Sequence, residues 1–180
     1  MPTVPTEAVV GTTIAFSFIL LGNAITQSYM GVPALLVNFP PPSSPSHAAA
    51  ARHLGQQWPV FWNVGNVFFR PISTLGILGY GYTSWVAAHT SANAATPAGR
   101  SAWRLYLISA TCHLITVVHS AINMQPMNSK LDGLRDPKVS GVDPSLAEYY
   151  ARRWIAMNSV RIAMPLIAGS VALWQTLRMR

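Results

Sequence analysis

The chain has 180 residues, of which 51% are apolar and 9% carry a full charge, and its formal net charge is +7. Soluble domains carry about 25% charged residues, so this composition excludes a disordered tail and an ordinary soluble domain. One cysteine, Cys112, excludes an intrachain disulfide and cysteine-based zinc motifs.

In chain order, four elements are predicted, over about 8–36, 67–88, 103–124 and 144–177. Each holds roughly the 20 apolar residues that a helix needs to cross a bilayer. Together they predict an all-α fold, a four-helix transmembrane bundle forming a single membrane domain over 1–180. Glu7 stands where a secretory signal would be basic, so the first block reads as a retained helix. The first loop contains the proline-rich run 38–46, which cannot be helical. Residues 47–57 are alanine-rich and predict a short surface helix, followed by Trp58 and Trp62 at the membrane interface. The second loop, about 90–102, is short. The third, about 126–144, is polar, with Lys130, Asp132, Arg135, Asp136 and Lys138. Asp143-Pro144 reads as an N-cap with proline at the first helical position, so the last helix should begin there.

No Lys or Arg precedes Arg52, and later ones come singly or in pairs such as Arg152-Arg153 at the ends of apolar blocks. This distribution fits contact with a lipid surface and argues against a nucleic-acid partner.

Polar residues inside the blocks carry the functional signal. At about 100° per residue, Cys112, Thr116, His119 and Asn123 share one helix face, and His113 points about 120° from His119. His119 is either a buried histidine bonded to a neighbouring helix or a general base. Pro126 is expected to end the third helix and leave Asn128 on non-helical backbone. In the fourth block Trp154, Asn158 and Arg161 share a face, with Pro165 one turn later. Ahead of the second block, Trp62, Asn66 and Arg70 do the same, followed by Pro71. Each arginine either snorkels to the interface or points inward to an oxyanion. In an antiparallel bundle these groups, with Asn23 and Gln27, lie at the end shared by loops one and three. The expectation is one pocket with aromatic walls suited to a flat ligand. No GxGxxG, P-loop, HExxH or GxSxG motif occurs. No acidic residue lies inside the apolar stretches 8–36, 67–88, 103–124 and 155–177, which argues against proton-driven transport.

Asn123, Pro126 and Asn128 closing the third block, with Arg153, Trp154, Asn158 and Arg161 opening the fourth, resemble the anthrone oxygenase family. These are small membrane proteins of fungal polyketide pathways, and the resemblance extends over about 11–177. It implies a monooxygenase that converts an anthrone to an anthraquinone with dioxygen and no metal or other cofactor. His119 is then the expected base and Arg161, with Asn158, the expected oxyanion partner. Asn123, Asn128, Trp154, Trp62, Asn66, Arg70 and Gln27 are the expected substrate contacts, with His113 a second candidate base. An endoplasmic-reticulum-type membrane, self-association and contact with soluble pathway enzymes are further expectations. The alternatives are a membrane cyclase or isomerase of a lipophilic metabolite and a non-catalytic four-span scaffold.

Overall fold

A computed structural model describes residues 6–90 and 97–178, with backbone alone over 97–101. Four long helices account for most of it, and the described residues contain no strand. Helix α1 runs Thr6–Leu35. Asn38, with φ 55°, follows it in the left-handed conformation that asparagine tolerates. Helix α2 is continuous over 47–90, helix α3 over 97–133, and helix α4 covers Ala147–Arg178. α1 packs on α2, α2 on α3, α3 on α4 and α4 on α1, closing a four-membered ring.

Two expected boundaries are corrected. The second helix begins at 47, not near 67, and the third continues past Pro126 to Gly133. Asn128 is therefore helical. The reason is a local widening shared by three helices. Each contains a five-residue π turn: Gln27–Gly31, Gly65–Phe69 and Ser120–Met124. In each, the proline is the sixth residue after the turn's first: Pro33, Pro71 and Pro126. The residue just before the proline donates its N–H five residues back, Val32 to Gln27, Arg70 to Gly65 and Gln125 to Ser120. The widened turn relieves the clash between a proline ring and the carbonyl four residues earlier, so the helix passes through. Consequently 47–57 is no separate surface helix. Ala51, Leu54 and Trp58 are buried in an apolar cluster with Leu131, Leu134, Ala151 and Trp154.

α1, Ala102–Gly133 and Pro144–Arg178 are long and apolar enough to cross a membrane. The fourth long helix, α2, is not among them. Its buried face is small and polar, with Ser73, Gly76, Tyr80, Thr83 and Ser84, while Leu75, Leu78, Tyr82 and Trp85 are exposed. Apolar outside and polar inside is the pattern of a helix whose solvent is lipid. Hydroxyls bind the ring together. Ser84 Oγ donates to the Trp103 carbonyl at 2.8 Å, and Ser109 Oγ to the Ala168 carbonyl at 2.9 Å. Outside the bilayer, Asp143 Oδ1 accepts from the Ser145 N–H at 2.8 Å and caps the start of the last span. That bond holds the Asp143 carboxyl below its ordinary value.

Candidate active site

The two ends of the ring are packed differently. At one end Val10, Tyr80, Tyr106, Ala168 and Ala172 form a solid core. Below it, Ser17 Oγ lies 2.9 Å from both the Tyr80 hydroxyl and His113 Nε2, tying α1, α2 and α3 together. His113 is buried against Gly76, where a Cβ would collide with its ring. Its Nδ1 is buried and makes no hydrogen bond of good geometry.

Toward the other end lies a cavity of about 310 Å3. Its deep end is formed by Leu20, Ser73, Thr116 and Pro165. Every π turn contributes to the wall: Gln27 from the first, Asn66 and Phe69 from the second, Ser120 and Met124 from the third. A π turn rotates the following side chains relative to a regular helix, which lets three helices aim amides and aromatics at one space. Trp58, Phe61, Trp62 and Trp154 complete an aromatic wall. Trp58 and Trp154 meet edge to face at 5.4 Å. Both indoles donate to Asn128 Oδ1, at 3.3 and 2.8 Å, which fixes the angle between the rings. Trp62 Nε1 donates to Gln125 Oε1 at 3.2 Å.

Of the residues singled out in the sequence, Gln27, Trp62, Asn66, Arg70, Asn128, Trp154 and Arg161 line this cavity. Among the described residues, the Arg161 guanidinium makes no hydrogen bond and no ion pair. Gln27 Oε1 is likewise buried without a partner. An uncompensated guanidinium within a membrane span is costly, so its exposure to a cavity marks a place for ligand or water.

Three expected site residues do not line it, and these are corrections. His119 Nε2 lies 3.0 Å from the Met157 carbonyl, and Asn123 Nδ2 lies 3.1 Å from His119 Nδ1. A carbonyl only accepts, so Nε2 holds the proton. Nδ1 accepts from the Asn123 amide, and the ring has no free lone pair for a substrate proton. Asn123 itself is exposed. Asn158 is fully buried, and its amide N–H groups donate to the Ala24 carbonyl at 3.0 Å and Ser28 Oγ at 2.8 Å, joining α4 to α1. Sequence reasoning missed Trp58, Phe61, Phe69 and Gln125 as wall residues. Trp58 stands one helical turn before Trp62, a spacing that would have exposed it had the helix been taken as continuous.

The residue pattern of anthrone oxygenases matches this chain over residues 58–171, more than half its length. The chain belongs to the anthrone oxygenase family. The matched region takes in every residue lining the cavity except Leu20 and Gln27. No curated protein and no solved structure matches the chain. Anthrone oxygenase membership supports an oxygenase-type function for a membrane-embedded bundle. Among the described residues, no three His, Cys, Asp or Glu side chains cluster as a metal would require.

Proposed function

We propose that this protein oxidises an anthrone-type aromatic polyketide to the anthraquinone with dioxygen, using no metal or organic cofactor. The observation that carries this reading is the unpaired Arg161 guanidinium in an aromatic-walled cavity of an anthrone oxygenase family member. The volume, about 310 Å3, is at the small end for ligand sites and suits one flat molecule.

The chemistry asks little of a base and much of an anion-stabilising group. The methylene of an anthrone lies between two aromatic rings and opposite a ketone, so losing a proton gives an aromatic enolate. Arg161 directed at the ketone oxygen favours that anion. No imidazole or carboxylate lines the cavity, so the proton is assigned to water at its mouth. The enolate passes one electron to dioxygen, and the resulting radical pair combines to a carbon–oxygen bond, giving a peroxide. Loss of the second methylene hydrogen as a proton, with cleavage of the O–O bond, leaves the new ketone. One dioxygen is consumed, and one quinone and one water are formed. Trp58, Trp62 and Trp154 offer faces and edges against which the rings can pack. Residence in the endoplasmic reticulum or a related endomembrane belongs to the same proposal, since a lipophilic substrate partitions into the bilayer around the bundle.

Membranes containing the full chain, supplied with an anthrone, should consume dioxygen and form quinone one to one, unchanged by a chelator. Absence of uptake with a panel of anthrones would contradict the proposal. Dependence on an added metal would remove the cofactor-free mechanism.

A further inference from the structure

Two guanidiniums and no carboxylate line the cavity. Arg161 is half-buried, whereas Arg70 is exposed at the rim. The Arg70 carbonyl accepts from Thr74 Oγ1 at 3.1 Å, but its guanidinium makes no hydrogen bond or ion pair among the described residues. The two ion pairs present there, Asp132–Arg135 and Glu148–Arg152, lie outside the bundle interior. Two like charges lining one cavity repel, and a ligand that brings negative charge relieves the repulsion. The enolate oxygen supplies a partner for Arg161 alone.

We infer that the natural substrate carries a second oxyanion, an aryl carboxylate, and that Arg70 at the cavity rim receives it. This inference rests on the reading of the cavity as the anthrone site. A guanidinium matches a carboxylate with two parallel N–H···O bonds, a geometry that lysine cannot supply. The rim position keeps the carboxylate partly hydrated while the ring system enters the aromatic wall, so desolvation is modest. Arg70 is then a specificity-determining residue, and Arg161 the deeper contact for the ketone.

The test uses two ligands that cannot be oxidised further, anthraquinone-2-carboxylate and anthraquinone. Binding to the full chain in phosphatidylcholine nanodiscs is read from quenching of tryptophan fluorescence. The carboxylate should bind about tenfold more tightly, the gain from one charge-assisted bidentate contact. Arg70→Gln should bring the ratio to about one, and Arg70→Lys should retain part of it. Equal binding by the wild type, or full selectivity in Arg70→Gln, would overturn the inference. So would loss of selectivity when phosphatidylglycerol is added to the nanodiscs, which would assign Arg70 to a lipid phosphate. If Arg70→Gln fails to fold, the methyl ester decides on the wild type, because it must bind like the uncharged quinone. Selective binding without dioxygen uptake would sink the oxygenase reading alone; uptake without selectivity would sink the assignment of Arg70 alone.

Discussion

The closed and open halves of the bundle use the same residue types for different ends. In the closed half, polar side chains are mostly spent on one another: Ser17 joins Tyr80 and His113, and Ser109 reaches the Ala168 carbonyl, with His113 Nδ1 the atom left over. In the open half, the guanidiniums of Arg161 and Arg70 have no partner among the described residues, and Gln27 Oε1 is buried unpaired. The structural difference is the π turn. Below the three turns the helices are regular and pack through small residues such as Gly76 and Ala168. The turns and the residues flanking them on both sides carry the cavity wall. Buried polar groups that are paired stabilise, whereas unpaired ones persist at the expense of stability and mark where a ligand belongs.

The sharpest way to break this contrast is Arg161→Met. Turnover of an anthrone should fall about 10²- to 10³-fold, as when an oxyanion donor is lost. The thermal midpoint in detergent should hold or rise, since an uncompensated charge has been removed. Loss of stability with activity kept would assign Arg161 to the scaffold. Next in size is Gly76→Val in the closed half. The added side chain meets the buried His113 ring, and overpacking of this kind costs about 1–3 kcal/mol or more, readable as a lowered unfolding midpoint. Asn128→Leu should act on the wall. It leaves the indole N–H groups of Trp58 and Trp154 without their acceptor, and KM should rise by about tenfold, in keeping with one or two lost hydrogen bonds. The smallest effect on turnover is expected for His119→Ala, within about threefold, whereas removing a true general base costs about 10²- to 10⁴-fold. A loss in that larger range would restore the imidazole to the chemistry.

Much of this was legible in the sequence, and the failures have two causes, an irregular helix and contacts from neighbouring helices. Four apolar blocks with polar insertions announced a bundle with polar groups facing its interior. The spacing of Trp62, Asn66 and Arg70, and of Trp154 and Arg161, correctly placed those five side chains on faces that meet. The reading failed where it assumed a regular helix. Pro126 reads as a terminator in the sequence, because hydropathy carries no trace of the extra residue that a π turn accommodates. The fate of His119 depended on a carbonyl of another helix, at Met157, which no periodicity within α3 reports. Asn158 lies on the same face as Trp154, yet α1 packs closely enough for Ala24 and Ser28 to take its amide before the cavity can.

The central claim is that Arg161 ionises the bound substrate. Its most direct test is the absorbance spectrum of an anthrone bound to the protein under anaerobic conditions at neutral pH. The wild-type complex should show the long-wavelength band of the ring-delocalised anion, and the Arg161→Met complex the spectrum of the neutral anthrone. A neutral spectrum in the wild type, or the anion in both, would contradict the account.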